Sequence, residues 1–550
     1  MNYFMICKEL CEIAKNDNIM LVAIAIFSTL LFIFVGNKLF QVLQLGGYKI
    51  KGYFMWFKET KGAYYSRLFM LTFLSTVSIL MTNVLLEDFF IIDILKYIGM
   101  IFIILYSSFF ITNLYNSKQK TPLKYTKRMI RFIITYTLLT FIISLLLVYL
   151  GYMYVPYLSY GLISAVPLTL PVIVVISYYV TLPLEKIISN SYVKKAKKKI
   201  KEHKELKVIG ITGSYGKTTI KNILNTILSE KYKVCSTPSS YNTPLGLSKT
   251  ILSNLKDDDE IFIAEMGARH KGDILELCQM VSPSIGIITG IGNQHLLSFK
   301  TEENLISAKG ELADYITKTN GELYINVESK NAKILANRYE NTEKIALNSQ
   351  NLLKFENIVA DQEGLKFNIV TNLESKEVST SLIGEHNLFN IYICSVVALN
   401  LGLSLSEIAL GIEKLSSIPH RLSVIKSANS FTIIDDSYNC SVEGSKASLN
   451  VLSKFDGKKF VITPGIVELG KEQFNANFEF GRDLANVCDY VIIDSSINYD
   501  AISSGLIFAK FDESKIIKTA NLEKAVEALK LYVTPSDVVL FENDLPDNYN

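Results

Sequence analysis

The sequence predicts a multi-domain chain in which an α-helical transmembrane region precedes two α/β domains. With 49% apolar residues and a mean hydropathy of +0.26, the 550-residue chain is too apolar for a wholly soluble protein. Apolar stretches long enough to cross a bilayer fall within the first third of the chain. From Leu206 onward, short β-branched strands alternate with helical stretches, which is typical of parallel sheets covered by helices.

Five apolar segments have the length of a membrane span. They are residues 19–35, 68–86, 97–115, 132–150 and 162–180. The loops after the first and third segments are rich in lysine, whereas Glu87 and Asp88 follow the second and the loop after the fourth has no Lys or Arg. Under the positive-inside rule, this alternation predicts an N-terminus outside the cell and a cytoplasmic location for everything after Val180. We therefore predict a transmembrane domain over residues 1–185 of a multi-pass protein of the cell membrane.

The end of the predicted membrane region has two unusual features. Pro167, Pro171 and Pro183 would kink or end the last span, and we interpret them as helix irregularity rather than as a lipid or substrate groove. Residues 194–201, KKAKKKIK, form a basic run inside a predicted linker over residues 186–205. Juxtamembrane lysines are attracted to anionic lipid headgroups, so the run predicts contact with the membrane surface.

Composition excludes several other kinds of partner. The formal net charge is only +3 and the basic residues cluster beside the membrane region, so nucleic acid is not a predicted partner. The seven cysteines include no C-x-x-C pair. An odd number of cysteines without such spacing argues for reduced thiols and against a zinc site or a disulfide framework.

The segment VIGITGSYGKTT, at 208–219, has the pattern of a strand, a glycine-rich turn and the start of a helix. This order makes a phosphate cradle, because the backbone N–H groups of the turn and the helix N-terminus point at an anion. Lys217 would reach the outer phosphates, and the Thr218 hydroxyl would bind Mg²⁺. The candidate nucleotide-binding residues are Gly213, Ser214, Tyr215, Gly216, Lys217, Thr218 and Thr219. The alternative is an ordinary glycine-rich turn with a solvated lysine.

The turn is tighter than the usual P-loop, in which four residues separate the first glycine from Gly-Lys. The sequence TGSYGKTT, at 212–219, resembles the ATP loop of the Mur ligase family, which joins amino acids or peptides to cell-wall precursors. The resemblance extends from Leu206 to about Leu545. It implies a central ATP-binding domain over residues 206–418, a smaller Rossmann-like α/β domain over residues 419–550, and ATP and Mg²⁺ as cofactors.

A metal site is predicted where Glu265 ends an apolar strand, because a carboxylate there is costly unless it is paired or binds a cation. A magnesium ion shared with Thr218 would lie beside the phosphates. The sequence Glu-Met-Gly that begins at Glu265 also resembles the family, in which this glutamate binds magnesium. The resemblance further implies that His295 is a second magnesium ligand and that Lys309 is carbamylated. A solvated helix lysine is the alternative for Lys309.

Two asparagines are candidates for contact with the base of the nucleotide. Asn387 and Asn390 lie three residues apart and share a helical face, so their amides could read a planar heterocycle together. The sequence GEHNLFN, at 384–390, resembles the family signature in which these amides contact adenine, with helix capping by Asn387 as the alternative. The loop at 239–246 resembles the asparagine-rich substrate loop of the family, and a plain turn explains it equally well.

The segment SIPHRL, at 417–422, resembles the inter-domain hinge of the family, which implies that Arg421 reaches the ATP phosphates when the domains close. The next strand, FTIIDDSYN at 431–439, resembles the muramoyl-tripeptide D-alanyl-D-alanine ligase branch, and implies a ribose contact for Asp436. The chain then departs from the branch in two places. It lacks the Asn-Pro expected after Asn439, and it lacks a histidine expected after the loop at 465–470.

The C-terminal end departs further from the family. Glu542 and Asp544 stand where the ligases carry a loop such as Lys-Gly-Ser. The exchange predicts a different acceptor amine, one with an extra ammonium, and a solvated acidic tail is an equal alternative.

These features together predict an ATP-dependent amide ligase that works through an acyl phosphate at the cytoplasmic face of the membrane. Its catalytic residues would be Lys217, His295, Lys309 and Arg421. Membrane spans stand where soluble Mur ligases hold the UDP end of their substrate, so the predicted donor is a lipid-linked cell-wall or glycopolymer precursor and the acceptor an amino acid or small amine. A poly-amino-acid synthase of the folylpolyglutamate type and a non-ligating, nucleotide-binding membrane scaffold are the alternatives.

Overall fold

The computed structural model describes residues 22–59 apart from 24, 27, 31 and 35, and then 122–154, 156–238, 241–292, 299, 301–339, 342–346, 353–426, 431–438 and 441–543. The predicted spans at 68–86 and 97–115 lie outside the described residues, and so do His295 and Asp544. The chain divides into two compact units, which are residues 1–188 with 546–550 and residues 189–545.

The first unit is helical where it is described. Its elements are α1 (Ser28–Leu45), α2 (Ile50–Glu59), α3 (Lys127–Tyr154) and the first part of α4 (Pro156–Glu202). Three described segments, Ser28–Leu45, Lys127–Leu150 and Thr169–Glu202, are long and apolar enough to cross a membrane. The three prolines lie inside α4, so the expectation that they would end the helix is wrong, whereas a kink stays a prediction. Apolar helices tolerate proline when neighbouring groups satisfy the backbone.

Aromatic packing and a partly buried ion pair join the helices of the first unit. The ring of Phe40 meets Phe132 and Tyr136 edge-on, with centroid distances of 5.7 and 4.8 Å. Arg131 donates twice to the carboxylate of Glu185, at 2.6 and 2.9 Å. These contacts tie the first described helix to the third and the third to the fourth.

A six-stranded parallel sheet forms the centre of the second unit, with the strand order β2-β3-β1-β4-β5-β6. The strands are β1 (Lys207–Thr212), β2 (Val234–Ser236), β3 (Ile261–Glu265), β4 (Ile285–Ile288), β5 (Glu322–Asn326) and β6 (Glu343–Ile345). Side chains alternate between its two faces, so that Ile209 and Ile211 lie in one buried cluster and Val208 in the other.

Helices cover both faces of this sheet. They are α5 (Lys217–Leu228), α6 (Pro244–Ser253), α7 (Asp273–Val281), α8 (Glu302–Lys318), α9 (Lys330–Ala336), α10 (His386–Asn400) and α11 (Leu405–Glu413). The helices α5, α10 and α11 pack on the face that carries Ile209, whereas α6 to α9 pack on the face that carries Val208. A separate antiparallel sheet, β7 (Leu353–Ala360), β8 (Leu365–Thr371) and β9 (Ser375–Thr380), contributes to the first cluster.

A second six-stranded sheet follows, with the order β10-β11-β15-β12-β13-β14. Its strands are β10 (Ser423–Lys426), β11 (Thr432–Asp436), β12 (Lys459–Thr463), β13 (Tyr490–Ile493), β14 (Ile516–Lys518) and β15 (Val538–Glu542), and only the β10–β11 pairing is antiparallel. Its helices are α12 (Val442–Ser453), α13 (Gln473–Ala485) and α14 (Tyr499–Phe508) on one face and α15 (Leu522–Leu529) on the other. The prediction of two α/β domains is confirmed.

Buried amide side chains hold the turn that follows β12. Asn477, which is fully buried, accepts from the backbone N–H of Ile466 at 2.8 Å and donates to the carbonyl of the same residue at 2.8 Å. Asn498 and Asn543 donate to two further carbonyls of the turn at 2.9 and 2.7 Å. Three buried amides therefore fix the turn through its backbone groups.

The variant Asn477→Ala should destabilise the C-terminal domain, because it leaves the buried N–H of Ile466 without its partner and removes the shorter of two hydrogen bonds to the carbonyl of Ile466. We expect a loss of at least about 2 kcal/mol of unfolding free energy, seen as a lower melting temperature of the purified protein. The matched control is Asn475→Ala, two residues earlier on the same helix at an exposed position. Equal melting temperatures for the two variants would contradict this role of Asn477.

Candidate active site

The glycine-rich loop connects β1 to α5, and two of its positions require glycine. Gly213 has a φ of +155°, and a Cβ at this position would lie 1.9 Å from Oγ1 of Thr289. Gly216 has a φ of +79° and caps the N-terminus of α5. The loop therefore turns tightly into the helix, so the backbone N–H groups at the helix start are available to an anion.

Lys217 is the first residue of α5, and its side chain folds back over the loop. Its Nζ donates to the carbonyls of Gly213 at 2.8 Å and Ser214 at 3.0 Å. Burial lowers the pKa of Lys217 to about 8, and Arg421 adds to this shift whereas the carboxylate of Glu265 opposes it. With a pKa of about 8, Lys217 is still mostly protonated at neutral pH, and a bound phosphate would stabilise its ammonium.

The other loop residues have distinct roles. The Ser214 hydroxyl donates to the carbonyl of Gly292 at 3.0 Å, which ties the loop to the segment after β4. Tyr215 packs its ring on Gly290, where a Cβ would lie 1.9 Å from a ring carbon. Burial raises the pKa of Tyr215. The Tyr215 ring therefore packs the loop against the segment after β4. Thr219 lies in the first turn of α5.

The carboxylate of Glu265 ends β3 directly beside the loop, and the structure brings it to Thr218. The Thr218 hydroxyl donates to Oε2 of Glu265 at 3.1 Å, and Lys221 Nζ donates to the same oxygen at 3.0 Å. The Asn242 amide donates to Oε1 at 3.2 Å. Sequence reasoning missed Lys221, although a lysine on the apolar face of an amphipathic helix was the signal that could have found it.

The loop at 239–246 supports neighbouring elements in its described part. The amide of Asn242 donates to the carboxylate of Glu265, and Thr243 caps α6 by accepting from the N–H of Gly246 at 3.3 Å. Contact of this loop with a substrate stays a prediction.

The residues around Glu265 fit a magnesium ion that arrives with a nucleotide. Mg²⁺ prefers hard oxygen ligands and is commonly held by one or two protein oxygens together with phosphates. The Thr218 hydroxyl and the Glu265 carboxylate supply such oxygens. Within the described part of the chain, no group of three His, Cys, Asp or Glu side chains forms a metal cluster. Whether His295 completes the site stays a prediction, since it lies outside the described residues.

Lys309 lies in α8 and is only 3% exposed, so the alternative of a solvated helix lysine is wrong. Burial lowers the pKa of Lys309 well below its usual value, and the charge of Lys217 adds to this shift. A neutral amine is the form that adds CO₂ to become a carbamate. Glu311, two residues later, caps α7 by accepting from the backbone N–H groups of Gly272 and Leu275.

Asn387 and Asn390 lie inside α10, which begins at His386, so the alternative in which Asn387 caps the helix is wrong. The Asn390 amide donates to Oδ1 of Asn387 at 3.0 Å, and Asn387 in turn donates to the carbonyl of Ile383 at 2.8 Å. Asn390 Oδ1 lies 3.6 Å from where a Cβ on Gly216 would be. The structure thus places the pair beside the glycine-rich loop, and adenine contact stays a prediction.

The hinge between the two α/β domains is strained on both sides of Arg421. His420 and Leu422 have φ values of +62° and +49°, a region that non-glycine residues rarely adopt. His420 Nδ1 lies 2.8 Å from Oδ2 of Asp435. The Arg421 guanidinium stacks over the Tyr438 ring, 4.3 Å from its centroid. Side-chain contacts thus fix an unusual backbone, and they orient the arginine.

Asp436 supports this hinge. It accepts from the backbone N–H of Leu422 at 3.3 Å and from the Ser448 hydroxyl at 3.2 Å. Burial raises the pKa of Asp436 to about 6, although Arg421 opposes this shift. The structure gives Asp436 a role in positioning the hinge, and its predicted ribose contact stays a prediction.

The C-terminal domain contacts the central domain through polar groups. A Cβ at Gly292 would lie 2.8 Å from Oε2 of Glu443, which is in the first turn of α12. Lys454 Nζ donates to Oε1 of Glu385 at 2.7 Å and to the carbonyl of Ala360 at 3.0 Å.

Glu542, near the end of the chain, is buried rather than solvated. Glu542 is fully buried in the last position of β15, opposite Asp436 of β11, so a solvated tail is wrong for this residue. Asp544 lies outside the described residues. The buried carboxylate belongs to the edge of the sheet at which the strands β11, β12 and β15 end.

Two family models match the two α/β domains of the chain. Residues 211–398 match the Mur ligase middle domain, and residues 420–542 match the Mur ligase, glutamate ligase domain. The two models together cover more than half of the chain. The chain belongs to the Mur ligase family. It is accordingly an ATP-dependent acid–amino-acid ligase by class.

The relatives agree with this assignment. The chain is 26% identical over 342 residues to the UDP-N-acetylmuramoyl-tripeptide–D-alanyl-D-alanine ligase of Bacillus subtilis, covering 61% of this chain and 72% of that one. The MurF ligase from Thermotoga maritima in complex with ADP is 28% identical, with a TM-score of 0.58 over 65% of this chain and 80% of that chain. MurF from Acinetobacter baumannii has the same TM-score at 24% identity, over 66% and 78%. The chain covers 66% of the length of the Haemophilus influenzae ligase of the same name. The substrates of this protein are therefore proposed below.

We expect the affinity for ATP to fall as the pH rises through about 8, because Lys217 then loses the charge that pairs with phosphate. Below that pH the ammonium is present, and above it binding must take up a proton. Calorimetric titration with a non-hydrolysable ATP analogue, over a pH series on both sides of this value, measures the effect. The control Lys217→Arg stays charged throughout, so a parallel fall in the variant would contradict the role of the lysine.

We expect Lys309 to form a carbamate in bicarbonate buffer, because its pKa is lowered and the neutral amine reacts with CO₂. With carbon-13-labelled bicarbonate, NMR should show a protein carbamate signal that Lys309→Gln abolishes. The matched control is Lys318→Gln, at the exposed end of the same helix. A signal that survives in Lys309→Gln, or none in the unaltered protein, would show that Lys309 is not modified.

Proposed function

We propose that the protein uses ATP to join an amino acid, a dipeptide or another small amine to the carboxylate of a cell-wall precursor, at the cytoplasmic face of the membrane. The observation that carries the proposal is the contact between Thr218 of the glycine-rich loop and Glu265 at the end of β3, 3.1 Å apart and beside Lys217. This contact makes one site for phosphate and metal in a family of ATP-dependent ligases. Names of the relatives supply the class of precursor.

The first step would be attack by the precursor carboxylate on the γ-phosphate of ATP. Lys217 and the N–H groups at the start of α5 hold the outer phosphates, and the hinge orients Arg421 toward the same region. When bound, Mg²⁺ on Thr218 and Glu265 would offset the negative charge of the phosphates. ADP leaves, and the carboxylate has become an acyl phosphate.

The second step would be attack of the amine on the acyl phosphate, with inorganic phosphate as the leaving group. The amine must lose a proton to form the amide, so a group near the C-terminal domain or the departing phosphate accepts it. Water would hydrolyse the same intermediate, so closure of the C-terminal domain has to exclude it. The hinge at Arg421 and the polar contacts of Glu443 and Lys454 are the parts of the chain that such closure would use.

A membrane location is supported by the inverted polarity of α3. Its exposed stripe, among the described residues, is apolar at every fourth position, with exposures of 46–58% at Ile130, Ile134, Leu138, Ile142 and Leu146. Its buried face holds Tyr136, Thr140 and Ser144, each with no exposure. Helices of water-soluble proteins have the opposite arrangement, whereas helices in lipid place small and polar groups between helices.

The membrane unit also suggests how the donor is held. Both family models lie within residues 211–542, and the unit of residues 1–188, which is helical where it is described, precedes them. A precursor linked to a lipid would reach the site without a soluble UDP-binding domain. We therefore propose a lipid-linked donor. The lysine-rich run at 194–201 would contact anionic lipid headgroups.

Membrane vesicles from cells that express the full chain test this proposal. Inside-out vesicles, given ATP, Mg²⁺ and a panel of amino acids, D-alanyl dipeptide and diamino acids, should release ADP when one class of amine is present. Right-side-out vesicles and vesicles with Lys217→Ala should not release ADP.

Turnover on an added soluble UDP-linked precursor alone would contradict the lipid-linked donor. Activity in right-side-out vesicles would contradict the topology. Repeated addition of one amino acid would favour a polymer synthase, and ATP binding without turnover would favour a scaffold.

A further inference from the structure

We propose that Lys221 sets the order of binding: its ammonium neutralises Glu265 in the nucleotide-free protein, so that Mg²⁺ enters together with ATP and not before it. The inference depends on the proposed function in one respect, which is that Thr218 and Glu265 are ligands of the metal.

The ion pair of Lys221 and Glu265 is deeply buried. Lys221 Nζ lies 3.0 Å from Oε2 of Glu265, and each side chain is only 2% exposed. The same oxygen accepts the hydrogen bond from Thr218 at 3.1 Å. Lys221 and Thr218 stand on adjacent turns of α5, so one helix delivers both the proposed metal ligand and a fixed positive charge to one carboxylate oxygen.

This geometry opposes a metal ion that arrives alone. A cation bound by Thr218 and Glu265 would lie within a few ångströms of the Lys221 ammonium, and burial leaves little water or salt to screen the repulsion. The carboxylate is thus already neutralised before any metal binds.

Nucleotide reverses this balance of charge. The phosphates of ATP bring several negative charges to the loop that Lys217 closes, and they supply oxygen ligands for the metal. The divalent ion then has enough negative charge around it, even with Lys221 in place. Lys221 would therefore make metal binding conditional on the nucleotide.

A purely structural role for Lys221 makes a different prediction. If Lys221 only balances a buried charge, its loss should lower the stability of the protein and leave the affinity for a lone metal unchanged or weaker. If Lys221 sets the order of binding, its loss should increase that affinity. The sign of the change in metal affinity separates the two roles, and it does not depend on catalytic activity.

Mn²⁺ is the probe, because electron paramagnetic resonance of free Mn²⁺ measures binding without turnover. The detergent-purified full chain is titrated in bicarbonate buffer, with and without a non-hydrolysable ATP analogue, alongside Lys221→Met and Lys221→Gln. Glutamine keeps a donor of similar reach and removes the charge, so it tests the inference if methionine does not fold. The control is Lys233→Met, which breaks the exposed pair with Asp258 at 2.8 Å.

We expect the unaltered protein to bind Mn²⁺ tightly only with the analogue, and the Lys221 variants to bind one Mn²⁺ without it, at least about tenfold more tightly than the unaltered protein. Adding Glu265→Gln should abolish the gained site, and Lys233→Met should behave as the unaltered protein. Tight binding of Mn²⁺ without analogue by the unaltered protein, or no gain in either Lys221 variant, would overturn the inference.

Failure of the proposed function has a different signature. In that case the analogue would not promote Mn²⁺ binding in the unaltered protein, and Glu265→Gln would change nothing. Metal binding that needs Glu265 but not the analogue overturns the role of Lys221 alone.

Discussion

Parallel pairing of β1 with β3 and β4 is the constraint on which the active site depends. In this register Ile211 lies opposite Glu265, and Thr212 lies opposite Ile288. The three strands consequently end at one edge of the sheet. The glycine-rich loop, the Glu265 carboxylate and Thr289 each follow or end one of these strands, so strand pairing alone brings them together. Burial of the β-branched side chains on both faces fixes the register, since a shift by one residue would move each side chain to the opposite face.

Local patterns in the sequence were enough to predict much of this edge. A β-branched run, two glycines and an amphipathic helix identified the phosphate loop, and a carboxylate at the end of an apolar strand identified Glu265. Lys221 could not be recognised with the same ease, because its spacing from Lys217 also suits a surface lysine that snorkels to water. Only the packing of α5 against β3 shows that this lysine is buried on a carboxylate.

The second α/β domain was harder to predict beyond its class. The resemblance to the family showed that a histidine is lacking after the loop at 465–470. It could not show that Asn477, Asn498 and Asn543 together hold the turn before this loop, since the last two come from segments distant in sequence. The sequence left a solvated acidic tail and a changed acceptor site as equal alternatives for Glu542. Its burial follows from strand order, which places β15 between β11 and β12.

Gly292 lies where the central domain meets a carboxylate of the C-terminal domain. Its φ is not in the left-handed region, so the backbone does not need glycine there, yet the carboxylate of Glu443 occupies the place of a side chain. A methyl group at 292 would push this carboxylate aside, which its flexible side chain allows. Glycine at 292 therefore lets an acidic group of one domain lie directly on the backbone of the other.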